Sequence, residues 1–359
     1  MAIEGNLTTQ LFILRGLVSR QQYIIILEYA AEMGTILSFL GVVANIIIIR
    51  TFVAMGISDG VIVSFLSLAI FDLTYLVAGV SLGITVILYV TELRSPILFP
   101  IQPFGLSIYF TNIMILVTVA NVLTTTYLAV ARSMCVARPL QFKNTFTRKR
   151  AIIFMVMFAA SAIAIYSPIL ANMGMSNKFD RLTNKSRPVW WGSPARESVK
   201  EAVWMFTEVI LPLTTQITIV ICVIIMTASL RAASRFRQSS AAVSGKVVVE
   251  VAKTQKYVNK EMATTATANT VAHKRNNKEV RVVQQVVFIS VVYIVCNIPK
   301  LLISLVSMCE PNFAIGKRYT FLYMSLNGIR THFEQLNSAV NLLIYYKYNT
   351  KFRNTVFRI

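Results

Sequence analysis

The sequence is short of charge. Charged residues make up only 14% of its 359 residues, whereas hydrophobic residues make up 55% and the mean hydropathy is +0.63. An ordinary soluble protein carries many more charged side chains to cover its surface. Long uncharged apolar runs recur along the whole chain. The composition therefore excludes a typical water-soluble domain and favours a membrane protein.

Acidic residues are the scarcer charges: 15 Asp and Glu stand against 35 Lys and Arg, which gives a net charge of +20. In a soluble protein this excess would suggest nucleic-acid binding. Here the bases lie between apolar runs and are not interleaved with aromatic residues that could stack on bases. Membrane proteins use cytoplasmic Lys and Arg to set their orientation. We therefore expect no nucleic-acid partner.

Cysteine and histidine are also scarce. Of the four cysteines, only Cys309 is predicted near an oxidising compartment, so we expect no intrachain disulfide. The two histidines, His273 and His332, form no metal-binding spacing with other residues and no convincing catalytic triad. An enzyme is not expected. Arg15 and Arg20 are followed by no small-residue cleavage site, so we predict an uncleaved signal anchor in the first apolar run.

Seven apolar runs have the length that a membrane-crossing helix needs, which is roughly 20 residues. They lie near 33–51, 61–89, 104–131, 151–171, 202–229, 282–308 and 321–346. We predict an all-α membrane protein, a bundle of seven transmembrane helices. Its predicted parts are an extracellular N-terminal segment (1–28), a seven-helix domain (29–346) and a cytoplasmic tail (347–359). The polar segment 231–281 is predicted to be a flexible cytoplasmic loop.

The loops predict the orientation. If the N-terminus is outside, 22 of the 35 bases lie on the inner side and 11 on the outer side, while Lys300 and Arg330 lie within spans. This bias favours an inward C-terminus, although six bases between 171 and 201 weaken it. Both glycosylation sequons, at Asn6 and Asn184, lie in segments predicted outside. We predict a multi-pass, glycosylated protein of the plasma membrane.

Polar residues inside the spans need a reason, because a charge at mid-membrane costs about 2.5–3.5 kcal/mol on insertion scales. Asp72 lies in the second predicted span, and four amides lie in other spans: Asn45, Asn121, Asn337 and Asn341. Their amides can satisfy one buried carboxylate. Two readings stay open: a hydrogen-bonded network that holds helices together, or a sodium ion held by Asp72 and its neighbours. No other metal and no cofactor is expected.

Five short motifs follow one another through the predicted spans. They are Asn45; Leu68-Ala69 with Asp72; Ala131-Arg132-Ser133 followed by Arg138-Pro139-Leu140; Cys296-Asn297-Ile298-Pro299; and Asn341-Leu342-Leu343-Ile344-Tyr345. In this order and placement, the chain resembles the rhodopsin-like (class A) G-protein-coupled receptors over all seven spans. The resemblance implies a receptor that binds an extracellular ligand and activates a heterotrimeric G protein.

The chain also departs from the family pattern. Ala131 replaces the usual acid, Leu342 the proline of the last motif, and Asn297 the tryptophan before Pro299. Ser107 stands where the family usually has a disulfide cysteine, and 171–201 contains no cysteine, so the family disulfide is expected to be missing. The sequence Cys135-Val136-Ala137-Arg138-Pro139-Leu140 resembles the corresponding segment of expanded invertebrate chemosensory receptor sets, molluscan ones in particular.

For the switch, the resemblance implies a contact between Arg132 and an acid on the sixth span. Glu279 lies 20 residues before Pro299, near the same rim, and we predict that it pairs with Arg132 in a resting lock. The alternative is an arginine that only extends toward the lipid headgroups. Pro299 is expected to kink the sixth helix, so that contacts at the outer end of the helix can move its inner end. Tyr345 completes the predicted coupling region.

On the ligand side, the resemblance places several residues around a pocket in the outer halves of the spans: Met114, Glu208, Asn297, Lys300, Arg330 and Glu334. Arg330 and Glu334 are four residues apart on one helix, so their charges can neutralise each other. A pocket with both signs suits a small polar or zwitterionic molecule, an odorant-like cue or a peptide. The alternative is an internal salt-bridge network. Met114 stands where amine receptors of the family carry aspartate, so a biogenic amine is not expected.

After Tyr345 the tail mixes bases with aromatics through Arg353. This pattern favours a short amphipathic helix on the inner leaflet, in contact with lipid, over a disordered stub. The competing function is a transporter or ligand-gated ion channel, whose polar pathway would use Asp72 and the outer charges. We see no inverted repeat and no glycine-rich broken helix of the kind that transporters have.

Overall fold

Seven helical spans form the body of the protein in a computed structural model, which describes residues 17–57, 59–137, 142, 146–180, 185–251 and 261–358. The first four spans are Arg20–Met55, Gly60–Arg94, Pro103–Ala137 and Arg148–Ala171. The fifth span comprises Arg196–Trp204, a π-helical segment Met205–Ile210 and Leu211–Val251; the sixth is Glu261–Cys309; the seventh comprises Thr320–Ala339 and Asn341–Tyr348. A C-terminal helix, Thr350–Val356, follows.

The apolar runs account for six of these spans directly. Among the described residues, six helices are long and apolar enough to cross a membrane. The seventh is more polar, because it carries Arg330, His332 and Glu334, and its helix is interrupted at Val340. It packs against the first, second and sixth spans, so its polar side chains face other helices. The predicted seven-helix bundle and its short C-terminal helix are confirmed.

Helix ends follow the local sequence. The first span begins at Arg20, well before the apolar run at 33, because Ser19 and Gln22 form a capping box. The Ser19 hydroxyl accepts the Gln22 N–H at 3.2 Å, and the Gln22 side chain accepts the Ser19 N–H at 2.9 Å. Asp59 and Thr147 cap the second and fourth spans with single side-chain bonds, accepting the N–H groups of Val61 and Arg150. Polar caps thus set boundaries that hydropathy alone places too far inside.

The first and second spans approach closely at a glycine. A Cβ on Gly79 would lie 2.6 Å from the Ser38 hydroxyl, so the small residue is what permits the contact. Small residues at helix interfaces are typical of membrane bundles, where packing rather than the hydrophobic effect joins helices. Large apolar side chains such as Phe39, Ile46 and Ile224 remain exposed on the outside of the bundle, as contact with lipid requires.

One end of the bundle carries a β-hairpin that we did not predict. Strand β1 (Met173–Asp180) pairs antiparallel with β2 (Lys185–Gly192), from Met173 opposite Gly192 to Asp180 opposite Lys185. The run Val189-Trp190-Trp191, rich in residues that favour strands, was the signal that could have found it. We call this side the hairpin end and the opposite side, with the C-terminal helix, the tail end.

At the tail end, regular helix replaces part of the predicted loop. The fifth span continues to Val251 and the sixth begins at Glu261, so backbone expected to be irregular linker is helical. Alanine, lysine, arginine and glutamine in this segment have high helix propensity. The loop prediction considered only the polarity of the segment. Flexibility of 231–281 stays a prediction.

Candidate functional site

Four charged side chains meet inside the bundle toward the hairpin end. We call Glu208, Lys300, Arg330 and Glu334 the buried charge cluster. Glu208 lies 3.1 Å from the Lys300 ammonium and 2.6 Å from Arg330 Nη1, and Arg330 Nε donates to Glu334 at 3.1 Å. The cluster joins the fifth, sixth and seventh spans. The Arg330–Glu334 contact is the one that their spacing predicted.

The local backbone positions these groups. Glu208 lies within the π-helical segment Met205–Ile210, just before Pro212. Pro212 lacks an N–H, and the wider π turn re-aims the side chains relative to a regular α-helix. Pro299 lies inside the sixth helix, immediately before Lys300. Both partners of the Glu208–Lys300 pair are therefore set by irregular helix geometry beside a proline.

The cluster is electrically balanced and dry. Its two acids and two bases sum to zero, and their side chains are only 2–13% exposed. Each Glu208 oxygen lies within ion-pair distance of one base, and both Lys300 and Arg330 donate hydrogen bonds to the carboxylate. Charges removed from water are costly unless paired and hydrogen-bonded. A carboxylate has about four lone-pair sites, so Glu208 can accept further hydrogen bonds besides those from its two bases.

Two polar side chains that sequence reasoning missed complete the surroundings. The Tyr75 hydroxyl donates to Glu334 at 2.9 Å, and Arg330 Nη1 donates to Asn327 Oδ1 at 3.3 Å. Tyr75 belongs to the same buried apolar cluster as the predicted pocket residue Met114. Asn297 instead donates to the Tyr293 carbonyl of its own helix at 2.9 Å. A buried tyrosine usually finds a partner for its hydroxyl, which was the available signal.

Deeper in the bundle, Asp72 anchors a second polar site, the inner polar network. Asn121 Nδ2 donates to one Asp72 oxygen at 2.7 Å and Asn341 Nδ2 to the other at 2.8 Å. Asp72 is only 1% exposed. Asn45 donates to the backbone carbonyls of Gly41 and Ser338 at 3.0 and 2.9 Å. Three spans therefore share one carboxylate.

A cavity of ≈ 20 Å³ separates the two sites. Glu334 lines it from the charge cluster and Asn121 from the inner network, together with Asn297 and Asn337. This volume holds about one water molecule or small ion, because a water needs at least about 10–15 Å³ of such space. The cavity is too small for an organic ligand, so the buried charge cluster is closed in this structure.

The inner network has the donors that a hard cation prefers. Sodium, like other hard cations, favours oxygen ligands. The amide oxygens of Asn45 and Asn121 are buried and have no hydrogen-bond partner among the described residues. Asn121 lines the small cavity, and its amide nitrogen donates to the Asp72 carboxylate. The oxygens of Asp72 and Asn121 fit a sodium ion, and a bridging water fits the same groups.

At the tail end, the switch residues are only partly described. Arg132 Nε is buried and has no partner among the residues that the structure describes. The side chain of Glu279 lies outside that description, as do Arg138-Pro139-Leu140, so the Arg132–Glu279 lock stays a prediction. Tyr345 is fully buried, and its ring packs against Phe52, Phe65 and Phe352 at 5.1–5.6 Å. Asn6 and Asn184 also lie outside the described residues.

A family comparison agrees with this arrangement. The model of the family described as "7 transmembrane receptor (rhodopsin family)" matches residues 44–345. The match runs from just before Asn45 to Tyr345 and includes the buried charge cluster, the inner polar network and Arg132. No curated protein matches the chain.

Proposed function

Because the chain belongs to the rhodopsin family of seven-transmembrane receptors, we propose that it binds an extracellular ligand and activates a heterotrimeric G protein. The observation that carries the proposal is the buried charge cluster beside Pro299, which joins the fifth, sixth and seventh spans. A ligand whose charged groups replace a partner in these ion pairs changes the packing around the proline of the sixth helix. The receptor is not proposed to catalyse chemistry of its own.

The charges favour a small polar ligand that carries both signs, such as an amino acid, or a peptide terminus. A ligand carboxylate can take the place of Glu208 beside Lys300 and Arg330, while a ligand ammonium can meet the free acceptors of Glu208. Such an exchange conserves the charge balance, whereas a ligand with one sign leaves a buried charge unpaired. The likeness to molluscan chemosensory receptors favours an environmental cue, and we propose a chemosensory role.

Activation is proposed to be a population shift between two packings of the bundle. In the resting packing, Lys300 holds the sixth span to Glu208 at the hairpin end, and Arg132 pairs with Glu279 at the tail end. Ligand binding loosens the first contact and Pro299 carries the change along the helix. Arg132 then becomes available to the G protein. We also propose that sodium bound at Asp72 stabilises the resting packing.

The proposed site of action is the plasma membrane, with the N-terminus and the hairpin outside and the C-terminal helix at the inner leaflet. The charge bias and both sequons support this orientation. A transporter or ligand-gated channel is the competing class, and it predicts a current or flux that needs no G protein.

The test is a screen of amino acids, short peptides and odorants on cells that express the chain, with second-messenger readouts. The screen is run beside Arg132→Ala, with Arg50→Ala as a matched control, because Arg50 is an exposed arginine at the same end of the bundle. We expect Arg132→Ala to abolish the response at equal surface expression and Arg50→Ala to preserve it. A response that survives Arg132→Ala undiminished would reject G-protein coupling through the tail end of the bundle and favour a channel.

A further inference from the structure

A contact between the first and seventh spans is built around the ring of His332. Its Nδ1 lies 2.8 Å from the carbonyl oxygen of Gly328 in its own helix, and its Nε2 lies 2.9 Å from the carbonyl oxygen of Ala30 in the first span. Both are ordinary lengths for N–H···O hydrogen bonds. A carbonyl oxygen has two lone pairs, so each can accept the ring in addition to its helix bond. Both ring nitrogens thus face acceptors that carry no proton.

The protonation state of the ring decides whether both contacts are favourable. A neutral imidazole has one N–H and one nitrogen lone pair, whereas the imidazolium has two N–H groups. In the neutral ring, one nitrogen directs its lone pair at a carbonyl oxygen 2.8 or 2.9 Å away, and that contact is repulsive. Only the imidazolium of His332 donates to Gly328 and Ala30 at once.

A third acceptor lies beside the ring. The Oε1 of Gln335 is buried and accepts no hydrogen bond from the residues that the structure describes. A Cβ on Gly34 of the first span would lie 3.3 Å from this oxygen and 3.4 Å from His332 Nε2, so both atoms border the same glycine. Because Gly34 has no side chain, the first span approaches the ring closely. Three carbonyl-type oxygens therefore surround His332, an environment that favours the charged ring.

The contact lies close to the water-exposed surface at the hairpin end. Ala30 precedes the apolar run of the first span, which begins near 33. Half a turn before Ala30, Glu28 pairs with Arg94 at 2.6 Å, and the two side chains are 29% and 47% exposed. His332 itself is only partly buried. A proton from the aqueous phase at this end can therefore reach the ring.

The other ionisable groups around the seventh span do not duplicate this role. Histidine is the side chain whose charge ordinarily changes between pH 5 and 8, whereas carboxyl, phenol and ammonium groups ordinarily change outside that range. His273, the other histidine of the chain, belongs to the tail-end part of the sixth helix. The titratable and charged residues in the hairpin-end halves of the first, second, sixth and seventh spans are Tyr23, Glu28, Tyr29 and Glu32; Tyr75, Tyr89, Glu92 and Arg94; Tyr293, Cys296, Lys300, Cys309 and Glu310; and Tyr323, Arg330 and Glu334.

We propose that His332 is a proton-binding site: the imidazolium ties the seventh span to Ala30 of the first, and loss of the proton releases that tie. Because Nδ1 faces an oxygen of its own helix, the neutral ring keeps its single N–H on Gly328 and gives up Ala30. The tie is thus present at acidic pH and lost as the pH rises. It holds the helix that carries Arg330 and Glu334. The site does not depend on the ligand or the G-protein coupling proposed above.

The experiment uses nuclear magnetic resonance of the full chain, with nitrogen-15 in its histidines, in phosphatidylcholine nanodiscs. The chain has only two histidines, so His332→Gln and His273→Gln each remove one set of signals and assign the other. At about pH 5 we expect two ring N–H signals from His332, both slow to exchange with water, and at about pH 8 only the one on Nδ1. A His332 ring with a single N–H throughout this range, or with two N–H groups that exchange as fast as those of His273, would overturn the proposal. So would a ring that keeps both N–H groups at about pH 8, because the tie would then be permanent.

Amide hydrogen exchange measures the tie between the helices. After correction for the intrinsic effect of pH, exchange around Ala30 should be about tenfold slower at acidic than at alkaline pH, the effect expected of a hydrogen bond to a charged group. His332→Gln should remove this difference. Glu32→Gln is the matched control, because Glu32 is an exposed residue in the same turn of the first span, and it should keep the difference. If His332→Gln fails to fold, Gly34→Ala takes its place, since a Cβ there pushes the first span away from the ring. A pH effect of equal size in the unmodified chain and in these variants would refute the tie.

Discussion

At the scale of single residues, buried charges dominate the energetics of this bundle. Lys300 and Glu208 have side chains only 2% and 4% exposed and lie 3.1 Å apart. Removing one partner of such a pair leaves an uncompensated charge in a dry environment, which is far worse than removing both. Exposed pairs behave differently: Arg94 and Glu28 lie 2.6 Å apart at 47% and 29% exposure, where water screens the interaction.

The first prediction follows from this contrast. Lys300→Met should lower the free energy of unfolding by about 3–5 kcal/mol, because Glu208 keeps only Arg330 as a partner. The double variant Glu208→Gln with Lys300→Met should recover much of that loss, since Arg330 and Glu334 still neutralise each other. Unfolding in detergent measures both. The control pair Arg94→Met and Glu28→Gln should change stability by about 0–1 kcal/mol. Additive losses in the cluster would contradict this prediction.

Asp72 permits a second prediction at the same scale. If sodium binds beside this carboxylate, the protein should unfold at a higher temperature in sodium chloride than in choline chloride of equal ionic strength. The gain is about 1.4 kcal/mol when sodium is at ten times its Kd. Asp72→Asn should remove the difference, whereas Glu28→Gln should keep it. Equal unfolding temperatures of the unmodified chain in both salts would instead favour a hydrogen-bonded network without an ion.

At the scale of elements, the hairpin is held to the bundle without a disulfide, since 171–201 contains no cysteine. Gln102 makes two hydrogen bonds to it: its N–H donates to the Pro188 carbonyl at 3.1 Å and its side-chain oxygen accepts the Trp190 N–H at 2.9 Å. Arg187 pairs with Glu92 at 2.6 Å. These contacts fasten the hairpin across the top of the second and third spans.

Close packing supports the same tether. A Cβ on Gly105 would lie 2.9 Å from both Trp190 Cβ and Met175 Sδ, so the start of the third span meets the hairpin where it has no side chain. The Arg196 guanidinium lies over the Trp190 ring at 5.3 Å, a favourable cation–π contact. The hairpin is therefore docked on the end of the bundle rather than a free loop.

The third prediction concerns this cover. Arg187→Ala should loosen the hairpin and speed amide hydrogen exchange in Met173–Asp180 and Lys185–Gly192 roughly tenfold, since it removes a charge-assisted hydrogen bond. Lys178→Ala is the control, because Lys178 lies opposite Arg187 in the hairpin but is exposed. Lys178→Ala should leave exchange unchanged. Equal effects of the two substitutions would show that Glu92 does not hold the hairpin.

At the scale of the whole molecule, the arrangement of the two ends decides whether the receptor proposal is possible. The hairpin and the buried charge cluster lie toward one end, and Arg132 with the C-terminal helix lies at the other. A signalling receptor of this family needs the first end outside the cell and the second inside. In the proposed function, the buried charge cluster and the inner polar network would connect the two ends.

The fourth prediction tests that orientation. Asn6→Gln and Asn184→Gln should each remove one glycosidase-sensitive mass shift from the chain expressed in animal cells. A C-terminal tag should react with antibody only after the cells are permeabilised, and an N-terminal tag before. A tag result that places both ends on one side, or a cytosolic segment around Asn184, would contradict the seven-span receptor.

Much of this molecule was predictable from the sequence because its determinants are local or repeat along the chain. Hydropathy determined the order of the spans and accounts directly for six of the seven, since a span needs an apolar run long enough to cross the bilayer. The spacing of four residues predicted the Arg330–Glu334 contact. The positions of Asp72 and the buried amides predicted that polar groups would meet inside the bundle. The sequence could not show which amides reach the carboxylate.

The tertiary structure alone decided which side chains meet across helices. Helix rotation and the π turn before Pro212 bring Glu208 to Lys300 and Arg330, and no sequence spacing determines such rotations. Tyr75, the hairpin and the contact of His332 with Ala30 were likewise missed, because each depends on residues brought together from distant segments. Composition and periodicity determine whether a segment is buried from water or from lipid. Only the packing of seven helices determines which side chains it contacts.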